Sequence, residues 1–75
     1  MKKRLTSMDY GEKGTVVDIV QELRNKVAGM GIRVGKNIVF MTRQPIKGPV
    51  VVKVEGSTTS MGVGIADRIQ VEVEE

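Results

Sequence analysis

The stretch KVAGMGIRVGKNI, residues Lys26 to Ile38, has glycine at positions 29, 31 and 35, and its interpretation decides the fold. A dinucleotide-binding loop follows a strand and opens a helix, so that the phosphate meets the helix N-terminus. Here helix-forming residues precede the glycines and strand-forming residues follow them, which is the reverse order. The P-loop pattern is missing as well, because Gly35-Lys36 is followed by Asn37 rather than by serine or threonine. The stretch therefore predicts a helix end and a turn, and no nucleotide site.

These glycines are better explained by backbone conformations that other residues rarely adopt. Gly31 is predicted to be the left-handed residue that ends a helix. Gly35 is predicted at the third position of a type II turn, where φ is positive. Gly11 and Gly14 are expected to bracket another tight turn, whereas Gly29 has no comparable role.

Short strands are predicted on both sides of this stretch. Residues 50–55 and 68–74 alternate apolar and polar side chains, residues 15–20 are rich in strand-forming residues, and residues 36–43 and 57–61 are the other two strands. A helix is predicted from Gln21, because Leu23, Val27 and Met30 fall on one helical face. Residues 62–67 are expected to form a single helical turn. The first ten residues are expected to be irregular, with Leu5 and Met8 as apolar anchors.

These elements predict a mainly β fold with one core, in a single domain that covers residues 1–75. The predicted core comprises Val16, Ile19, Ile38, Phe40, Val50, Val52, Val54, Ile69 and Val71. Five short strands at this spacing are typical of a small closed or half-closed β-barrel, and one docked helix covers an open edge or mouth.

The charge pattern argues against nucleic-acid binding, and the short apolar runs argue against insertion into a membrane. The net charge is +3, from 12 basic and 9 acidic residues, and the basic residues are scattered. Nucleic-acid binders usually combine a basic stripe with aromatic residues, but only Tyr10 and Phe40 are aromatic here. The apolar runs are too short to span a bilayer, and the basic MKKRL start lacks the apolar segment of a signal peptide. We expect a cytoplasmic protein that binds no nucleic acid and does not insert into membranes.

Groups that catalyse reactions or bind metals are scarce. The sequence contains no histidine and no cysteine, which removes the commonest general base, the thiol nucleophile and the best zinc ligands. Glu72 and Glu74 share a strand face, but they are expected to be solvated charges in a frayed terminus. The five methionines lack the close spacing of a copper(I) site and are better explained as core filling. We therefore expect no enzymatic activity, no cofactor and no metal site.

The segment QPIKGPV, residues 44–50, is predicted to be a hairpin loop with an exposed apolar tip. Ile46 lies between Pro45 and Lys47, where a core position is difficult to arrange. Exposed apolar groups often mark interfaces, and the prolines lower the entropic cost of binding. Partner contact is therefore predicted for Arg43, Pro45, Ile46 and Lys47. The alternative is that Ile46 folds back over the barrel mouth as a lid.

The order and spacing of these features resemble the FeoA family. The matching positions run from about Leu5 to Val73 and comprise Leu5, Met8, Gly11, Gly14, Met30, Gly31, Ile32, Gly35, Pro45, Ile46, Gly48, Pro49, Val50, Ala66, Ile69 and Val71. The resemblance implies a small SH3-like β-barrel of about five strands with one short inserted helix.

The resemblance also implies a function. Proteins of this family are non-enzymatic accessory proteins of ferrous iron uptake, expected to bind the cytoplasmic GTP-binding part of the FeoB membrane permease. A cytoplasmic location with recruitment to the inner face of the membrane follows from that partner. The same module occurs as the C-terminal domain of iron-dependent repressors, so a transition-metal-binding or metal-sensing domain is the alternative. A small nucleic-acid-binding barrel is the third hypothesis.

Overall fold

The computed structural model describes residues 1–43 and 48–74, and for Thr42 and Arg43 it describes the backbone alone. Within these residues, six antiparallel strands form one sheet in the order β1-β6-β2-β3-β4-β5. The strands are β1 (Lys2–Arg4), β2 (Lys13–Ile19), β3 (Asn37–Arg43), β4 (Val50–Val54), β5 (Ser57–Met61) and β6 (Ile69–Val73). Two short helices, α1 (Arg24–Ala28) and α2 (Val63–Ala66), and the 3₁₀ turns Leu5–Ser7 and Gln21–Leu23 complete the fold. The predicted mainly β, SH3-like architecture is confirmed.

Alternation of apolar and polar residues determines which face of each strand is buried. In β4 and β6 the residues at every second position are buried, and those between them are mostly exposed. All nine residues of the predicted core are buried. They are joined in the same cluster by Leu5, Met8, Val27, Ile32, Met61, Ala66 and Val73. One continuous core thus lies on the inner face of the sheet.

Two β-bulges bend the sheet around this core. In β2 the register passes from Val16 opposite Val71 to Asp18 opposite Gln70, so that Val17 is the extra residue. In β3 it passes from Phe40 opposite Val52 to Thr42 opposite Val51, so that Met41 is the extra residue. Bulges increase the local twist and bend the strand that carries them. Both central strands are therefore bent.

The chain between β2 and β3 carries the predicted helix, but its first three residues, Gln21–Leu23, form a 3₁₀ turn and the α-helix begins at Arg24. Val27 is fully buried, and the partly buried Leu23 and Met30 pack against the core. Gly31 has a φ of +85°, the left-handed value that the prediction requires. The Ile32 N–H donates to the Val27 carbonyl at 3.0 Å, and the Gly31 N–H donates to the Ala28 carbonyl at 3.0 Å. This pair of bonds defines the Schellman motif, which satisfies carbonyls that the helix end leaves open.

The type II turn that follows is also present. Gly35 has a φ of +95°. The Lys36 N–H donates to the Arg33 carbonyl at 3.1 Å, which closes the turn. The Gly35 N–H then donates to the Val16 carbonyl at 2.8 Å. The turn is thereby attached to β2, just before β3 begins.

The expectation of an irregular N-terminus was wrong for residues 2–4. They form β1, which pairs with β6 from Lys2 opposite Glu72 to Arg4 opposite Gln70. Three consecutive basic residues show no apolar alternation, and their pairing depends on a strand almost 70 positions away. The expectation of a frayed C-terminus was wrong for Glu72, which lies inside β6 and pairs with the Met1 ammonium.

Gly14 does not border a turn, and this prediction was wrong. It lies inside β2, opposite Val73 of β6. A Cβ atom built on Gly14 would lie 2.4 Å from Val71 Cγ1 and 2.7 Å from the Glu72 carbonyl oxygen. Glycine is required here because the two strands approach each other closely, rather than because of its backbone angles.

Candidate partner-binding surface

The predicted contact loop follows β3 and precedes β4 in the chain. Pairing extends as far as Arg43 opposite Val50, so the two strands are joined by the segment predicted as a hairpin connection. Pro45, Ile46 and Lys47 lie outside the described residues, and of Arg43 only the backbone is described. The described residues next to the loop therefore define its surroundings.

An exposed tyrosine lies on a turn that is attached to the middle of β3. Tyr10 has 79% of its surface exposed, more than any other large apolar side chain among residues 1–43 and 48–74. The Gly11 N–H donates to the Phe40 carbonyl at 2.8 Å, and the Phe40 N–H donates to the Glu12 carbonyl at 2.9 Å. These two bonds attach the turn that carries Tyr10 to β3, next to the bulge at Met41. The turn that carries Tyr10 is therefore held against β3, three residues before Arg43 and the predicted contact loop.

The turn of residues 9–12 holds its backbone in a single conformation. The Glu12 N–H donates to the Asp9 carbonyl at 2.9 Å, and Gly11 at the third position has a φ of +79°. This is the arrangement of a type II turn. The Glu12 side chain adds a second closure, because its Oε1 accepts the Asp9 N–H at 3.0 Å. Tyr10 thus projects from a backbone that is already ordered before any partner binds.

The Glu12 carboxylate also connects the turn to β1. Lys3 Nζ donates to both carboxylate oxygens, at 3.0 and 3.1 Å, and both side chains are largely buried. The Asp9 N–H and then the Lys3 ammonium hold the pKa of Glu12 below its ordinary value of 4.5, against a smaller opposing effect of desolvation. Glu12 is therefore ionised at neutral pH, and the charged form is the one that closes the turn.

Two other concave surfaces occur on the described part of the molecule. A groove of about 520 Å³ crosses β2 and is lined by both acidic and basic side chains, among them Glu12, Lys13 and Glu72. Thr15 and Asn37 form a hydrogen bond of 3.1 Å along it. A smaller cleft of about 270 Å³ lies between α1 and the type II turn, where Arg24 and Arg33 flank Ile19, Ile32 and other apolar residues.

Within the described ranges, no three histidine, cysteine, aspartate or glutamate residues lie close enough together to hold a metal ion. In the same ranges, no helix has the length and apolar character needed to cross a membrane.

Comparison with known proteins gives the family. The model of the FeoA domain matches residues 3–73. The chain belongs to the FeoA domain family. Among solved structures, an iron uptake regulatory protein (FeoA) is 34% identical over 99% of both chains, with a TM-score of 0.88. A FeoA-like protein from Clostridium acetobutylicum is 28% identical over 99% of this chain and 88% of that one, with a TM-score of 0.85. The search of curated proteins finds no match.

The same fold occurs in metal-dependent repressors. A manganese-dependent transcriptional repressor is 22% identical and has a TM-score of 0.88, with 97% of this chain matching 42% of the repressor chain. At this identity the likeness shows the shared fold alone. The fold of this chain thus also occurs as one part of a longer repressor chain.

Tyr10 was not among the predicted contact residues, although the sequence contains a signal for it. Met8 is a buried anchor and Gly11 a turn residue, so the residue before Gly11 occupies the second position of the turn. A side chain at that position of a type II turn projects away from the chain. Tyr10 is the only tyrosine in the sequence, and it occupies this position.

Proposed function

We propose that this protein is a non-enzymatic accessory protein of ferrous iron uptake, which binds the cytoplasmic GTP-binding part of a FeoB-type permease. The observation that carries the proposal is the FeoA domain match over residues 3–73. The iron uptake regulatory protein that is 34% identical over 99% of both chains supports it. In this role the protein works in the cytoplasm and is recruited to the inner face of the membrane by its partner. There it supports or regulates transport.

The proposed contact surface combines Tyr10 with the hairpin loop residues Arg43, Pro45, Ile46 and Lys47. Tyrosine is enriched among the residues that contribute most to binding, because it has a large rigid ring with few rotatable bonds. The ordered turn beneath Tyr10 lowers the entropic cost of association. Arg43 and Lys47 offer positive charge to acidic groups on the partner, which mainly raises the association rate and the specificity.

Pull-down of the permease from detergent extracts tests this surface. The variants Tyr10→Ser and Ile46→Asp should each weaken capture by 10-fold or more, as expected when a central interface residue is lost. Their thermal midpoints should stay within a few degrees of the unmodified protein. Val63→Ser is the matched control, since Val63 is 39% exposed at the start of α2. It should bind normally.

Ile46→Asp also separates the two interpretations of the loop. If Ile46 covers the barrel mouth, the substitution exposes the core and lowers the thermal midpoint by several degrees, as expected for a loss of about 1 kcal/mol in a small domain. Normal stability together with normal capture would remove the loop from the contact surface. Normal capture by Tyr10→Ser would remove the tyrosine.

A further inference from the structure

The two edge strands of the sheet are protected to different degrees. β1 is three residues long, and all three are basic. β5 (Ser57–Met61) is five residues long, carries no charge and no proline, and pairs with β4 without a bulge. Natural sheets usually protect their edges with charge, proline, bulges or short strands, because an open edge recruits further strands. The protection is therefore present at β1 and absent at β5.

The register identifies which backbone groups β5 leaves open. Glu55 and Gly56 have φ values of 50° and 83°, as in a two-residue type I′ hairpin turn, so the closing pair Val54–Ser57 exchanges both hydrogen bonds. Hydrogen-bonded and non-hydrogen-bonded pairs alternate along an antiparallel ladder. Thr59 and Met61 consequently bond to β4, whereas Thr58 and Ser60 direct their N–H and C=O groups away from it.

No other described strand pairs with those open groups, and β5 contacts the end of α1 through the Thr59 hydroxyl, which donates to the Met30 carbonyl at 3.5 Å. β5 is the last strand in the sheet order, and no backbone hydrogen bond joins Thr58 or Ser60 to another described segment outside the ladder. The side chains of both residues are exposed. Two N–H donors and two C=O acceptors thus lie in the plane of the sheet, at the spacing that a further strand requires.

We propose that β5 is a strand-addition site, at which an extended segment of the permease's cytoplasmic part pairs with Thr58 and Ser60 as a seventh strand. This inference rests on the proposed function and specifies how the partner is held. The pairing of Val50 with Met61 places one end of β5 at the end of the hairpin that carries the contact loop. In this proposal a single partner contacts both surfaces.

The size of the edge favours a partner over a second copy of this chain. Five residues span only about 17 Å, and two copies joined along such an edge alone bury well under the roughly 1,200 Å² of a stable interface. A partner that also contacts the hairpin and Tyr10 adds the missing area.

Charge indicates the chemistry of the added segment. Lys53 lies opposite Thr58, is exposed, and forms no ion pair with another described residue. An acidic side chain next to Thr58 on the added strand would come within reach of this ammonium group. The segment is therefore expected to carry an acidic or small polar residue there, and no proline where Thr58 and Ser60 need a donor.

Amide hydrogen exchange of the 75-residue protein, measured by NMR with and without the purified cytoplasmic part of the permease, tests the proposal. The Thr58 and Ser60 amides should exchange fast in the free protein and at least 10-fold more slowly in the complex. The Ser57, Thr59 and Met61 amides already bond to β4 and should change much less. This alternation distinguishes strand addition from burial of the edge by any other contact.

Two variants provide an independent measurement. Ser60→Pro removes one outward donor, and proline is tolerated on an edge strand when its position faces solvent. It should weaken binding about 5- to 10-fold, in line with the loss of one hydrogen bond of ordinary strength. Ser60→Ala keeps the amide and should bind normally. If Ser60→Pro fails to fold, the exchange pattern of the unmodified protein decides alone.

The possible outcomes distinguish a failure of strand addition from a failure of the proposed function. Binding with unchanged exchange at Thr58 and Ser60 overturns strand addition and leaves the proposed function intact. Absence of binding by the unmodified protein overturns both. Protection at these two amides that grows with protein concentration, without the permease, identifies a second copy as the occupant and overturns the proposed one.

Discussion

Glycine is required at positions 31 and 14 for two different reasons. Gly31 has a φ of +85°, and a Cβ built there would meet no atom within 4 Å, so the requirement lies in the backbone angle alone. Gly14 has no positive φ, but its Cβ would overlap the neighbouring strand. The sequence pattern around a helix end identifies the first kind. The second depends on which strand lies alongside, so Gly14 was misinterpreted as a turn residue.

Replacing Gly31 by alanine should destabilise the protein by about 1 kcal/mol or more, because a Cβ is strained in the left-handed conformation. Gly29→Ala is the matched control two residues away, since Gly29 has a φ of −64° and its Cβ would meet the Lys26 carbonyl oxygen at an ordinary 3.4 Å. That substitution should be mild or stabilising. Urea unfolding of both variants provides the comparison, and a larger loss for Gly29→Ala would contradict the assigned helix end.

Gly14→Ala should cost more than Gly31→Ala, about 3 kcal/mol, as in severe overpacking. The added carbon would lie 2.7 Å from the Glu72 carbonyl oxygen, which belongs to backbone and cannot rotate away. Gly62→Ala is the control, because Gly62 has a φ of −65° and open space around its Cβ. Thermal unfolding followed by circular dichroism measures both. A Gly14→Ala variant as stable as Gly62→Ala would show that β2 and β6 are farther apart than described.

Among the larger elements, five of the six strands were predicted within two residues at each end, and β1 was not. β4 and β6 repeat apolar residues at every second position, so their boundaries and buried faces follow from the sequence. The strand β1 escaped prediction because its residues are basic. The bulges at Val17 and Met41 escaped because an extra residue in a strand leaves no local sequence signal of its own.

The turn of residues 9–12 makes stability depend on pH in the acidic range. Its Glu12 has a pKa lowered from 4.5 by the Asp9 N–H and by Lys3, so folding favours the ionised form. The resulting stabilisation is complete above the pKa of the unfolded chain and is lost as the pH falls through the lower pKa of the folded protein. Glu12→Gln should therefore be less stable than the unmodified protein at pH 6, and the gap should shrink at pH 3.

Urea unfolding at both pH values and equal ionic strength tests the Glu12 prediction. Glu74→Gln is the control, because Glu74 is exposed and forms no ion pair with another described residue. It should change stability little at either pH. A Glu12→Gln gap that stays constant or widens at low pH would contradict the role assigned to the ionised carboxylate.

For the whole molecule, two kinds of sequence information predicted the fold. The residues alone predicted a small mainly β domain with one core, and the resemblance predicted its SH3-like form. The proposed contact surface was harder to predict from the sequence. Ile46 was predicted as a contact residue because an apolar residue between Pro45 and Lys47 is unusual. Tyr10 was overlooked, although its position before Gly11 is a sequence signal, and it joined the proposed surface once its turn was seen attached to β3. The open groups of β5 depend on pairing register, which local composition does not encode.

The most direct measurement is an isothermal calorimetric titration of the intact protein with the purified GTP-binding domain of the permease. We expect saturable binding that Tyr10→Ser weakens 10-fold or more. We also expect no binding heat when GTP alone is added to the protein, because residues 26–38 lack the strand-loop-helix order of a nucleotide site. The absence of saturable binding to the domain, or micromolar affinity for GTP alone, would contradict these expectations.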